Sequence, residues 1–118
     1  PGVVDTFVLR SSSGEVTDLC SYILAPMTLT HSRKHKNMLV AYSYYNVAST
    51  VSLVDLVGSA LVLARNRGAD VYNMMDVMDN AEVFKPLLFD EGTGSLSYYL
   101  YNYLCPAIVP DDVGLVFI

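Results

Sequence analysis

His31 and His35 stand at the i, i+4 spacing that puts two imidazoles on one helix face, a geometry zinc can use. No acidic or cysteine third ligand lies nearby, so the pair reads as solvated and no metal site is expected. Arg33, Lys34 and Lys36 around it could form a phosphate patch, but they read more simply as the exposed face of a loop. Cys20 and Cys105 lack metal-ligand spacing; a structural disulfide is one reading, and reduced, half-buried thiols the expected one. Tyrosines gather twice, at Tyr42, Tyr44 and Tyr45 and at Tyr98, Tyr99, Tyr101 and Tyr103. In strands, alternate side chains face opposite sides of the sheet, so one set can line a groove while the other packs against helices. From the residues alone, packing is the simpler reading. The last candidate is the α-carboxylate of Ile118. Chain ends usually fray into water, so the apolar run Leu115-Val116-Phe117-Ile118 predicts a strand that holds this carboxylate against, or inside, the fold, where it could do chemistry.

What must position these groups is one domain over residues 1–118, large enough for a core. With 53% hydrophobic residues and nine tyrosines the chain is not disordered. Its net charge of −5 and pI near 4.6 repel nucleic acid and favour cationic partners. The apolar runs are too short to span a bilayer, so no transmembrane segment and a cytoplasmic location are expected. Val3 to Leu9 and Val16 to Leu24 are β-rich runs separated by Ser11-Ser12-Ser13-Gly14-Glu15, which predicts an antiparallel hairpin. Thr30 to Asn37 reads as a loop or a short helical turn, and Met38 to Ala48 as a third strand.

Ser52 then opens a helix. Ser52-x-x-Asp55 approximates a capping box, Leu53, Leu56, Val57, Ala60, Leu61 and Ala64 form an i, i+3, i+4 stripe, and Gly68 stops it. Asp70 to Met75 follows as a strand, and strand, helix, strand predicts a parallel crossover. Asp79-Asn80 is placed to cap a short helix through Lys85, with Met74, Met75 and Met78 in the core. Leu96 to Leu104 and Val113 to Ile118 are expected to close the sheet as an antiparallel pair. A pyrophosphate loop would need glycines at a helix start. The nearest pattern, Arg65-x-x-Gly68-x-Asp70, sits at a helix end and carries a repelling carboxylate, so no nucleotide cofactor is expected to bind here.

Gly92-Thr93-Gly94-Ser95-Leu96-Ser97-Tyr98-Tyr99-Leu100-Tyr101-Asn102-Tyr103, with Val113-Gly114-Leu115-Val116, resembles the end of eukaryotic glycylpeptide N-myristoyltransferases. The likeness extends through Thr17-Asp18, Ser21, Pro26, His35-Lys36, Ala41-Tyr42-Ser43-x-Tyr45-Asn46, Leu53-x-Asp55-Leu56, Gly68-x-Asp70-Val71-x-Asn73 and Asp76-x-Met78-x-Asn80. It implies an α+β, acetyltransferase-like mixed sheet with helices, corresponding to the C-terminal, peptide-binding half of that fold. The acyl-CoA half would be absent from this chain. Myristoyl-CoA would then be a co-substrate of the complete enzyme, bound by the other half, and N-terminal glycine peptides and that half would be the partners. A chain without that half is expected to self-associate through its uncovered apolar surface.

The resemblance also implies roles. Tyr42 would line the peptide groove and Asn73 would hydrogen-bond the peptide, with Gly94 and Leu96 on the adjoining segment. Thr93 replaces an aspartate that in the family meets a basic side chain of the peptide, and Met27 stands where a groove serine is common. Catalysis would transfer myristate to the amino group of a glycine, with the Ile118 α-carboxylate taking the amine's proton. In water such a carboxylate is too weak a base by about 5–6 kcal/mol, which desolvation reduces. The other reading is a non-catalytic peptide-interaction module, which the changes at Thr93 and Met27 favour slightly.

Overall fold

The computed structural model of the chain describes residues 3–30 and 32–116. Strand β1 (Val4–Arg10) pairs antiparallel with β2 (Val16–Thr28), Phe7 standing opposite Cys20. The turn between them closes with Ser11 N–H donating to Glu15 C=O at 2.9 Å, and Gly14 takes the left-handed φ of +88° that glycine accepts without strain. β2 pairs antiparallel with β3 (Asn37–Val47), and the loop joining them is closed by Leu29 N–H donating to Lys36 C=O at 2.8 Å.

Helix α1 (Leu53–Asn66) starts as its sequence dictates. Ser52 Oγ accepts from Asp55 N–H at 3.0 Å and its hydroxyl donates to the Asp55 carboxylate at 2.7 Å, a cap worth about 1 kcal/mol. The helix stops at Gly68, φ +88°, where Ala69 N–H reaches Ala64 C=O at 3.0 Å and Gly68 N–H reaches Arg65 C=O at 2.9 Å. That pattern satisfies carbonyls which a helix end leaves open. The chain then enters β4 (Val71–Asn73), parallel to β3 and beside it, so the described sheet has four strands in the order β1-β2-β3-β4. The predicted hairpin, third strand, helix and parallel crossover are all present.

α1 covers one face of this sheet. Leu53, Leu56, Ala60, Leu63 and Ala64 meet Phe7, Cys20, Tyr22, Leu24, Ala41 and Tyr72. Tyr22, completely buried, stacks its ring 5.9 Å from Phe7 and edge-on 6.1 Å from Tyr72. Each such buried side chain contributes about 1.5–3 kcal/mol, which makes this layer the rigid backing of the opposite face.

Three expectations need correction. Asn80 sits at the start of the short helix α2 (Ala81–Phe84), but its side chain does not cap it. Asn80 Nδ2 instead donates to Met75 C=O at 2.9 Å, tying the helix to the preceding turn. Met74, Met75 and Met78 are half-buried, and the side chain that fills the core there is Val77. The third correction concerns the C-terminal pair. Among the described residues neither Leu96 to Leu104 nor Val113 to Val116 is a strand, and the sheet ends at β4. Tyr99, Tyr101 and Tyr103 are exposed, so among the described residues no apolar layer covers these side chains. A strand needs burial of at least one face as well as an edge to pair with. Hydrogen bonds among the described residues tie the segment down. Tyr98 Oη donates to Leu115 C=O at 3.0 Å, and Met78 N–H donates at 3.2 Å to Pro110 C=O, in a 3-10 turn (Pro110–Asp112).

Candidate peptide face of the sheet

The face of the sheet away from α1 carries the residues of interest, and strand alternation puts them there. Tyr22, Ala41 and Tyr72 point at the helix, so their neighbours Ile23, Tyr42 and Asn73, which pair across three adjacent strands, point to the other side. Two residues further along, Val40 pairs with Ala25 and Val71 and is 1% exposed. Beyond it, Met27 pairs with Met38, and Tyr42 Oη reaches back over this row to Met27 Sδ at 3.6 Å. Tyr42 is half-buried, Met27 is 43% exposed and Asn73 is exposed. A phenol, a thioether and a carboxamide with both donor and acceptor capacity thus share one surface.

At the far end of this face the strands carry a bulge. Cys20 opposes Asn46 and Tyr22 opposes Ser43, so Tyr44 and Tyr45 together face Ser21. The extra residue turns both tyrosines to one side, their ring centroids 4.4 Å apart. Ser21, 3% exposed, holds the bulge through one hydroxyl, which donates to Tyr45 C=O at 2.8 Å and accepts from Tyr45 N–H at 2.9 Å. The alternation read from the sequence would have separated Tyr44 from Tyr45. Only a small polar residue opposite a Tyr-Tyr pair hints at the bulge.

Asp18 is a second group whose role the sequence did not reveal. Buried at 1% exposure, it accepts from the amides of Ser49 at 2.7 Å, Thr50 at 2.8 Å and Val51 at 3.3 Å, and from the Thr50 hydroxyl. Side-chain hydrogen bonds from Thr17 and Thr50, then the backbone amides, hold its carboxyl well below the usual carboxylate range against the opposing pull of burial. It anchors the link from β3 to α1. On the helix-side layer, burial pushes the Cys20 thiol up and the Tyr72 phenol up to about 12, with the Ser43 hydroxyl acting the other way on Tyr72. Neither group is an acid or base near neutral pH.

Two clefts open at the margins of the sheet and its helices. One, about 550 Å³, runs along the β4 edge between Asn73 and Tyr72 on one side and Leu87, Phe89, Asp90 and Gly92 on the other. It brings Asn73 close to the start of the glycine-rich turn. The other, about 520 Å³, is lined by Asn46, Leu53, Asp79, Glu82 and Asp111. Of the residues singled out in the sequence, Met27, Tyr42 and Asn73 are brought together. Thr93, Gly94 and Leu96 are exposed on the segment that follows the first cleft, and Leu115 is 53% exposed while Val116 is buried. Ile118 and His31 lie outside the described residues. No cluster of His, Cys, Asp or Glu suited to a metal ion occurs among the described residues, nor is any described helix long and apolar enough to cross a membrane. Cys20 and Cys105 are free thiols, and neither is half-buried as expected: Cys20 points into the layer under α1 and is buried, while Cys105 lies on the exposed C-terminal segment.

Comparison with known proteins converges on one family. Residues 1–116 match the model of the C-terminal domain of myristoyl-CoA:protein N-myristoyltransferase. The chain is 44% identical over 115 residues to a glycylpeptide N-tetradecanoyltransferase of Drosophila melanogaster, covering 98% of the chain and 24% of that relative. It is 46% identical over 114 residues to glycylpeptide N-tetradecanoyltransferase 2 of Danio rerio, 97% and 23% covered. The chain thus spans about a quarter of the length of these curated relatives. Among solved structures, Saccharomyces cerevisiae N-myristoyltransferase with bound myristoyl-CoA superposes with a TM-score of 0.70 at 26% identity, over 79% of this chain and 25% of the yeast one. An acetyltransferase of Trypanosoma brucei shares the fold, with a TM-score of 0.61 at 13% identity over 83% of this chain and 70% of its own.

Proposed function

The chain belongs to the family of the myristoyl-CoA:protein N-myristoyltransferase C-terminal domain, and from that membership we propose that it supplies the peptide-holding part of an enzyme that transfers myristate from myristoyl-CoA to an N-terminal glycine. The observation that carries this reading is the convergence of Met27, Tyr42 and Asn73 on the sheet face opposite α1. An extended peptide laid on that face would find an aromatic ring to pack on and a carboxamide to bond its backbone. Thr93, Gly94 and Leu96 would extend the contact beyond the β4 edge cleft.

In the reaction the glycine ammonium first gives up a proton, its free amine attacks the thioester carbonyl, and the carbon–sulfur bond breaks with CoA leaving as a thiolate. The thiolate takes up the second proton the nitrogen sheds; it is the first proton that needs a base. We assign that first, pre-attack proton to the α-carboxylate of Ile118, following the family resemblance. The acyl-CoA and the donors for the oxyanion are assigned to a partner domain of the kind the longer relatives have room for. The free thiols Cys20 and Cys105 support a reducing, cytosolic setting.

The test is a split between two substrates. In an enzyme made by fusing this chain to the N-terminal part of the Drosophila relative, Tyr42→Ala and Asn73→Ala should raise KM for a glycine peptide about tenfold. KM for myristoyl-CoA should be unchanged. Equal effects on both substrates, or none, would remove the peptide face from the account. Peptide binding without turnover in the unmutated fusion would favour the non-catalytic interaction module.

A further inference from the structure

Phosphate groups are held where a strand runs into a helix and successive backbone N–H groups converge on one point. In this chain that place is the link of residues 48–52, between the end of β3 at Val47 and the start of α1 at Leu53. Its N–H groups are already taken. Leu19 of β2 pairs with Val47, which sets the preceding residue, Asp18, beside the link. One carboxylate oxygen, Asp18 Oδ1, accepts from the consecutive amides of Ser49, Thr50 and Val51 at 2.7, 2.8 and 3.3 Å, and Oδ2 accepts from the Thr50 hydroxyl. A run of successive amides on one anionic oxygen is the arrangement that holds phosphate in such loops.

A link that needed only fastening could use a neutral acceptor, and the Thr50 and Thr17 hydroxyls stand 3.3 Å apart at the same spot. The chain instead buries a full charge at 1% exposure, which is unfavourable unless positive partners meet it. The three amides and the positive end of α1 meet it. The cleft of about 520 Å³ beside the link points the same way. Val51 of the link lines it together with Asn46, Asp79, Glu82 and Asp111. The three carboxylates are exposed, and Asn46 Oδ1 is buried without a donor among the described residues. All four offer oxygen acceptors, and the three negative charges repel whatever a phosphate would bring with it.

We propose that the Asp18 carboxylate stands in for a bound phosphate: it fills the anion cradle of the link before α1 and closes this part of the fold to phosphate-bearing ligands. Asp18 shares the helix-side parity of Cys20 and Tyr22, so this role is independent of the peptide face on the opposite side. The competing role is that of a plain fastener, for which a phosphate in the emptied cradle would be no substitute.

The experiment removes the carboxylate and offers the cradle free anions. Calorimetry follows the Tm of the wild-type chain, of Asp18→Ala and of Asp18→Asn in sodium formate, sodium phosphate and sodium chloride at matched ionic strength. Phosphate strengthens burial in any protein, so the wild type is the reference. Asp18→Ala should melt lower than the wild type and recover in formate and in phosphate but not in chloride. With a Kd of about 10 mM, about 100 mM anion multiplies the folded-to-unfolded ratio by about eleven, a Tm rise of about 6 °C. Asp18→Asn, whose carboxamide still fills the cradle, should show no such rise. In amide NMR spectra of Asp18→Ala, the changes caused by either anion should centre on Ser49, Thr50 and Val51. No anion-specific rise, an equal rise in Asp18→Asn, or changes centred elsewhere overturns the proposal. A response to formate but not to phosphate leaves Asp18 as a fastener of the link and overturns it too. Should Asp18→Ala be unfolded in chloride, folding restored by formate and by phosphate is the expected rescue, and a variant that neither anion folds overturns the proposal.

Discussion

Ser21→Ala removes one oxygen and should unfasten the bulge that pairs Tyr44 with Tyr45. The hydroxyl makes two hydrogen bonds to Tyr45, at 2.8 and 2.9 Å, from a site 3% exposed, so water cannot readily replace it. Leaving a buried polar backbone group unpaired costs about 1–3 kcal/mol. Part of the backbone can relax toward solvent, so about 2 kcal/mol is the working figure. For a domain of this size each kcal/mol moves Tm by about 4 °C. The expected drop is therefore about 8 °C by calorimetry, accompanied by a change in the near-ultraviolet tyrosine dichroism that reports the 4.4 Å ring pair. Ser49→Ala, at an exposed serine before α1, is the control and should shift Tm by less than about 2 °C. A Ser21→Ala protein that melts with the control and keeps its dichroism would refute the claim that this hydroxyl holds the bulge.

Asp18→Asn tests the anchor before α1. The folded carboxyl lies below its unfolded value, so its stabilisation is present above about pH 4 and is lost as pH falls toward the folded value. The wild-type Tm should fall between pH 5 and 2 more steeply than that of the variant, and parallel curves would contradict this. In the fused enzyme, Thr93→Asp should improve lysine-containing peptides by about 1 kcal/mol, roughly fivefold in kcat/KM. Equal gains for norleucine peptides would show that position 93 does not sense the charge. Appending residues after Ile118 in that enzyme should cut the single-turnover rate by about 10²- to 10⁴-fold with peptide affinity retained, the range for a general base. An unchanged rate would move the proton to another acceptor.

Much of this architecture was legible because local signals and tertiary context agree. The Ser52 cap, the apolar stripe of α1 and the stop at Gly68 all act within one or two helical turns, so a single sequence suffices to place them. The hairpin around Gly14 is similarly local. The C-terminal pair was misread because Tyr98 to Leu104 has strand-like composition, and composition does not say whether a neighbouring surface exists to bury it. The bulge and the Asp18 anchor were hidden for a different reason. Each joins residues far apart in sequence, Ser21 to Tyr45 and Asp18 to Ser49 through Val51, through hydrogen bonds that leave no periodic trace. Within the candidate site, Tyr42 and Asn73 could be singled out by resemblance, while their adjacency follows from the parallel register of β3 and β4.

The central claim is that this chain supplies the peptide-holding part of an N-myristoyltransferase. The most direct measurement is acyl transfer from myristoyl-CoA to a glycine-starting peptide by three samples: this chain, the N-terminal part of the Drosophila relative, and the fusion of the two. Turnover by the fusion alone, abolished when the peptide's first glycine is replaced by alanine, is the predicted result. A folded fusion that binds both myristoyl-CoA and the peptide yet transfers nothing would contradict it.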